Sequence, residues 1–271
     1  MTSLKTLRLS QNLLRGQLYP RFLALDAPLE VLDIAGNQLT GTLTELVEVE
    51  TNLRRLMISD NYFSGSLPTT LFKLAELEVL QVANNRFSGT IPTELAIMTR
   101  LSSLWLQGNT FSGTVPTEIQ WLTLLTDLRL QSNEFVGTID DGLSRLPFLR
   151  VLTLGKNRLQ GTIPLDLYEA LTSLRSWDMH SNALSGSLST MIGNLASLEE
   201  LRLEDNMFSG FIPSSLAYIS SLRTLTLHDN GFLGAMPLDI CNNLLSPVGD
   251  LELLTADCVD FIRCVCCHKC Y

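Results

Sequence analysis

The stretch LSSLWLQGNTFSGTVP, Leu101 to Pro116, decides the fold, because nine other segments repeat it with small changes. An asparagine recurs at Asn12, Asn37, Asn61, Asn85, Asn109, Asn133, Asn157, Asn182, Asn206 and Asn230, in steps of 25, 24, 24, 24, 24, 24, 25, 24 and 24 residues. Four residues after each stands a glycine, from Gly16 through Gly113 to Gly234. Such regularity marks a backbone turn that a Cβ would obstruct.

Before each asparagine runs L-x-x-L-x-L, here Leu101, Leu104 and Leu106. The last two leucines alternate with Trp105, as a half-buried strand requires. A single strand of this kind has no partner, but stacked copies pair in parallel and bury a continuous core. A fixed period of this length with this pattern is the signature of a leucine-rich repeat solenoid. At about 4.8 Å between strands, ten repeats span roughly 45 Å. The asparagines then form a ladder whose amides satisfy turn backbone groups that have no strand partner. Two residues further on stand Phe63, Phe87, Phe111, Phe135, Phe208 and Phe232, with Leu14, Leu39, Leu159 and Leu184 in the other turns. They read as an apolar spine behind that ladder.

After the glycine comes x-[ILVM]-P, as in Ser66-Leu67-Pro68 and Thr90-Ile91-Pro92. On these residues the chain resembles the plant-type leucine-rich repeat family over about residues 4–240. The resemblance implies an α/β solenoid: a leucine-rich repeat superhelix with a parallel β-sheet on the concave face and short 3-10 or irregular turns on the convex face. Leu43-Thr44, Ile139-Asp140 and Leu188-Ser189 depart from the pattern by lacking the proline. One-residue insertions fall near Tyr19-Pro20-Arg21-Phe22 and between Asn157 and Asn182. Trp177 takes a strand position that leucine fills elsewhere, so it points into the core.

We divide the chain into a solenoid, residues 1–240, and a Cys-rich C-terminal cap, residues 241–271. The Leu254-Thr-Ala-Asp-Cys258 element followed by Cys264-Val-Cys266-Cys267-His268-Lys-Cys270 resembles the C-terminal cap of leucine-rich repeat proteins from diatoms and related algae. The six cysteines, Cys241, Cys258, Cys264, Cys266, Cys267 and Cys270, all lie in the last 31 residues. An even number confined to one end reads as a disulfide framework, and so as an extracellular or secretory compartment. The zinc alternative, with His268, requires a longer loop between ligand pairs than this cluster has. Pairing Cys241 with Cys258 would clamp the last full turn to the degenerate strand after it. It would close a loop of 17 residues, for about 3 kcal/mol in the chain-entropy account.

The chain has 271 residues, a formal charge of −9 and 45% hydrophobic residues. This acidity argues against a nucleic-acid footprint and against docking on an anionic membrane. No apolar run reaches the ~18 residues of a membrane span, and no secretory signal is visible. Met1 stands three residues ahead of Leu4. A solenoid end normally carries a polar cap, so Leu7 and Leu9 imply a fragment, an upstream cap or an assembly partner over that end. The acidic arc Glu45, Glu48 and Glu50 reads as a solvated convex face. No N-x-[ST] sequon occurs, so Asn-linked sugars are not expected.

Strand residues that do not face the core project onto the concave sheet. One row runs through Met57, Gln81, Trp105, Arg129, Thr153, Asp178 and Arg202, and a second includes Gln107, Gln131 and His180. A constant frame with a varied face is the pattern of a recognition surface. Tryptophan and arginine are the usual interface anchors, so Trp105 and Arg129 with Gln107 and Gln131 form its centre. The plainer alternative is a row of solvated strand residues. Asp178 and His180 read as an ordinary surface pair. No nucleophile, phosphate loop or paired carboxylate constellation is recognisable, and no cofactor or metal is implied. The chain is therefore expected to be a non-enzymatic scaffold that binds a protein or peptide on its concave face. A structural subunit of a larger assembly is the alternative. An inhibitor of a secreted hydrolase, one of the family's usual uses, is more distant, as is ice binding by the hydroxyl row Thr42, Ser66, Thr90, Thr114, Thr138, Thr162 and Ser187.

Overall fold

A computed structural model describes residues 4–18, 29–43, 52–245, 249–257, 262–264 and 266–270. The Tyr19–Phe22 insertion, the acidic arc at 45–50, Cys258 and the Cys270 side chain lie outside this description. The chain forms two compact units, residues 1–135 and 136–271.

In the first unit each turn begins with a three-residue strand: Thr6–Arg8, Val31–Asp33, Arg55–Met57, Val79–Gln81, Ser103–Trp105 and Asp127–Arg129. These pair in parallel with each residue beside its counterpart one turn on, Leu80 with Leu104 and Leu104 with Leu128. After the asparagine a second short strand forms, as in Tyr62–Gly65, Arg86–Gly89 and Thr110–Thr114, and these make a second parallel sheet. The third side is a 3-10 helix: Thr69–Lys73, Thr93–Ile97 and Thr117–Trp121. Each follows a proline whose fixed φ, −67° at Pro92, leads the extended strand into the helix. The three sides enclose leucines and phenylalanines. Leu80, Leu104, Leu106, Phe87, Phe111, Leu95 and Ile119 are all at most 2% exposed. Phe63, Phe87, Phe111 and Phe135 stack with centroids 6.2–6.5 Å apart, which is the expected spine. In the first turn Leu7 and Leu9 are half-buried.

The second unit repeats the plan with first strands Val151–Thr153, Ser176–Asp178, Glu200–Arg202, Thr224–Thr226 and Leu253–Ala256. The extra residue between Asn157 and Asn182 is taken up on the helix side, where Leu165–Ala170 is α-helical instead of 3-10. That helix buries Tyr168 edge-on against Trp177, centroids 5.7 Å apart. Trp177 is fully buried, as its leucine-like position implies, and burial pushes the Tyr168 phenol above its usual range. The turns without proline solve the helix start differently. Asp140 Oδ1 accepts from the Gly142 N–H at 2.8 Å, and Ser189 Oγ from the Met191 N–H at 3.2 Å. Each is a side-chain N-cap.

The disulfide expectation needs correction. Cys241 pairs with Cys266, not Cys258, and Cys264 pairs with Cys267. The reason is topological. Ile262–Arg263 adds a strand to the second sheet beside Gly231–Ala235, and Lys269–Cys270 adds one to the first sheet beside Leu253–Ala256. The chain between them crosses from one sheet to the other and brings Cys266 to the helix Leu238–Leu244, which carries Cys241.

The asparagine ladder joins consecutive turns. Asn109 Nδ2 donates to the carbonyls of Leu106, Gln107 and Val82 at 3.1, 3.3 and 3.0 Å, and its Oδ1 accepts from the Phe87 N–H at 2.9 Å. Asn85 and Asn206 make the same four bonds in their own turns. The following glycine carries φ +77° at Gly113, where an added Cβ would lie 2.8 Å from the Thr90 methyl of the preceding turn. Thr90 and its row mates Thr42, Ser66 and Thr114 stay exposed at the edge of the second sheet.

Asn109→Ala is expected to destabilise the chain by about 3 kcal/mol, since it strands a buried N–H and several carbonyls. Asn12→Ala, whose exposed amide bonds the Leu9 and Ser10 carbonyls alone among the described residues, should cost less than about 1 kcal/mol. Denaturant unfolding of both variants checks this. Gly113→Ala should destabilise by at least about 1–2 kcal/mol from the left-handed backbone. Thr90→Ser in the same chain should recover the steric part and no more, read from the same unfolding midpoints.

Candidate functional site

In the first unit the outward row of the first sheet is in strict register: Met57 beside Gln81, Gln81 beside Trp105, Trp105 beside Arg129. All four are half-buried, as are Gln107 and Gln131 two residues further along their strands. The structure therefore brings together the six residues expected there. The Arg129 guanidinium lies over the Trp105 indole, 4.5 Å from the ring centroid. It is held by a residue that sequence reasoning missed. Arg129 Nε and Nη2 donate to Asp127 Oδ1 and Oδ2 at 2.8 and 3.1 Å. The two-residue alternation of a strand already puts Asp127 on the face of Arg129; only a row through positions 103 and 127 was needed to find it. A desolvated cation–π contact contributes about 2 kcal/mol and an exposed one less. The bidentate fork fixes its geometry.

In the second unit the expected residues divide. Thr153 is only 8% exposed. Asp178 and Arg202 stand side by side in register, but each is occupied. Asp178 Oδ1 accepts from the His180 backbone N–H at 3.1 Å and pairs with His180 Nδ1 at 2.5 Å. Arg202 Nε donates to Glu200 Oε1, whose partner oxygen accepts from Ser176 Oγ at 2.7 Å. Glu204 accepts from the Thr226 hydroxyl, and His228 Nδ1 lies 2.7 Å from Thr255 Oγ1. This is a satisfied polar network. Asp178 and His180 are more enclosed than an ordinary surface pair, with side chains 14% and 17% exposed. Gly155 makes the room for them. Its φ does not require glycine, but a Cβ would collide with the imidazole and the carboxylate.

The hydrogen bond to Asp178 raises the His180 pKa above 6.5, helped by the charges of Asp178 and Glu204 and opposed by burial and Lys156. A raised folded-state pKa contributes stability that is fully present below the unfolded value and is lost as pH rises through the folded one. The stability gap between the wild type and His180→Gln should therefore be widest below about pH 6.5 and close at alkaline pH. Thermal melts of both proteins across that range measure it. A gap independent of pH would contradict the assignment.

Among the described residues no cluster of three or more His, Cys, Asp or Glu is arranged to hold a metal ion. No described helix is long and apolar enough to cross a membrane. The family profile "Leucine Rich Repeat" matches residues 52–74, 76–98, 100–122 and 197–219. The ectodomain of the Arabidopsis receptor kinase HAESA, solved with an N-terminally extended IDA peptide hormone ligand, is 30% identical with a TM-score of 0.85. That match covers 97% of this chain and 42% of that one. A TDR receptor is 28% identical with a TM-score of 0.82, covering 96% and 44%. A plant ice-binding protein, 23% identical with a TM-score of 0.62 over 89% and 81%, shares the fold alone. No curated protein matches the sequence. The chain spans less than half the length of the two receptors. Its turns, its ladder and these matches make it a leucine-rich repeat protein of the plant type.

Proposed function

We propose that this chain is a non-enzymatic recognition scaffold that takes a peptide or an extended protein segment on the outward face of its first sheet. The contact centre is Trp105 and Arg129, with Met57, Gln81, Gln107 and Gln131 around them. The observation that carries this reading is the guanidinium stacked on a half-exposed indole and pinned by Asp127. Tryptophan and arginine dominate interface energetics, and both side chains can contact the ligand once the stack opens. The solved HAESA structure holds a peptide hormone, which supports the choice of a peptide as ligand class. The disulfides Cys241–Cys266 and Cys264–Cys267 support an extracellular or luminal setting.

A structural role in an assembly is the second reading. One observation favours it: Met207, Phe211 and Leu233 are 63%, 73% and 46% exposed, and Phe211 and Leu233 are register neighbours on the second sheet. Sedimentation of the wild type and Phe211→Ser separates the readings. An assembly that dissociates in the variant supports the structural one.

Peptides selected from a displayed random library against the intact chain provide the test of recognition. Their affinity is expected to fall by about thirtyfold or more in Trp105→Ala with Arg129→Ala, the loss typical of a hot spot. Thr90→Arg on the second sheet should leave it unchanged. Peptides indifferent to the double variant, measured by calorimetry, would move the site off this face.

A further inference from the structure

Two buried side-chain polar atoms on the outward face of the first unit have no hydrogen-bond partner among the described residues: Trp105 Nε1 and Gln107 Oε1. They belong to alternate residues of one strand and its extension, and so to the same face. Other unpartnered atoms, such as Thr70 Oγ1, Trp177 Nε1 and Ser215 Oγ, sit in 3-10 helices or in the core. A buried unpaired polar group is unfavourable and calls for an explanation.

The groups around the pair explain why it stays unpaired. Arg129 covers the indole, but a guanidinium has five donors and no acceptor, so it cannot take the indole proton. Both Asp127 oxygens already receive Arg129. The Gln107 oxygen wants a donor and the Trp105 nitrogen wants an acceptor. One residue of an extended peptide supplies both at once. In an extended peptide the N–H and C=O of one residue point to the same side, as they do when two strands exchange paired hydrogen bonds.

We infer that the ligand of this face presents peptide main chain to it, with a C=O accepting from Trp105 Nε1 and an N–H donating to Gln107 Oε1, after Arg129 has swung off the indole. The inference rests on the proposed peptide-binding role and specifies what is read there. The contact is with backbone, which every sequence has, so selectivity must come from the flanking residues Met57, Gln81 and Gln131. Arg129 is a positioning lid in the free protein, and its fork to Asp127 sets how readily the lid opens.

The test uses protein labelled with ¹⁵N in its three tryptophan indoles, with N-acetylglycine N′-methylamide as the probe, because its glycine carries an N–H and a C=O on one residue. Trp121 is 52% exposed and Trp177 fully buried, so their indole signals serve as a solvent reference and a folding reference. The Trp105 indole signal is expected to shift downfield and saturate. In Arg129→Ala, with the lid removed, saturation should come at about two- to fivefold lower probe concentration. N-acetylsarcosine N′-methylamide, whose central residue has no N–H, should bind more weakly than the glycine probe, and Gln107→Leu should abolish that difference. A Trp105 shift no larger than that of Trp121, or the same midpoint with and without the Arg129 side chain, overturns the inference. Library peptides that bind this face while the Trp105 indole signal stays unmoved overturn it too, yet leave the recognition role standing. Peptides that do not depend on this face defeat the role itself.

Discussion

The structure depends on one carboxamide per turn. A three-residue strand must leave its sheet while its neighbours are apolar, and the carbonyls at that corner have no strand partner. Asn109 meets three of them with one nitrogen and caps the Phe87 N–H with its oxygen. Aspartate would lack the donor, leucine both functions, and glutamine would carry the amide past the corner. Oδ1 meets an N–H 22 residues earlier for Asn109 and 23 earlier for Asn182. The bond therefore sets the repeat length, and an inserted residue is tolerated only where it does not disturb this reach. Between Asn157 and Asn182 the insertion widens the helix side, Leu165–Ala170, and the corner keeps its geometry.

Because the corner and the core are spoken for, chemistry is left to the outward positions of the first sheet. Their backbone is already engaged in the parallel ladder, so a ligand meets side chains held on rigid strands. Rigid support is what a recognition constellation needs, since each contact loses strength quickly when its geometry slackens. The strict register of Gln81, Trp105 and Arg129 on paired strands is the local form of that support.

The frame was legible in the sequence because its signals repeat. The asparagine, the glycine four residues later and the phenylalanine spine each occur at one place in every turn or most turns, and each has one physical reason. The residue before the asparagine was only partly legible. Gln11, Gly36, Asp60, Asn84, Gly108, Ser132, Lys156, Ser181, Asp205 and Asp229 all hold a left-handed φ of +50° to +67°. Six of the ten are Gly, Asn or Asp, the types that adopt it most readily, but Gln11, Ser132, Lys156 and Ser181 follow the turn against their own preference and blur the signal. The N-caps at Asp140 and Ser189 were hidden because they replace a proline that works by another mechanism. The Cys241–Cys266 pairing depends on which sheet each terminal strand joins, which spacing along the chain does not encode. On the candidate face, Trp105 and Arg129 were visible as types, but Asp127 and Glu200 were not. Their meaning lies in a partner two residues away on the same side of a strand.

Equivalent positions in two turns show why the face is uneven in binding energy. One turn places Trp105 and Gln107 there, another Asp178 and His180. The second pair satisfies itself, with the carboxylate bonded to both the imidazole and the backbone N–H. A ligand that engaged it would first have to break those bonds, so the gain would be small. The first pair leaves a donor and an acceptor unmade in the free protein. Each such atom costs about 1–3 kcal/mol, and a partner that meets both recovers that free energy on binding. At about 1.4 kcal/mol per tenfold in affinity, two such bonds together outweigh the cation–π contact, worth up to about 2 kcal/mol, that is given up when Arg129 moves aside. The turn that is least satisfied when alone is thus the one with most to gain from a visitor.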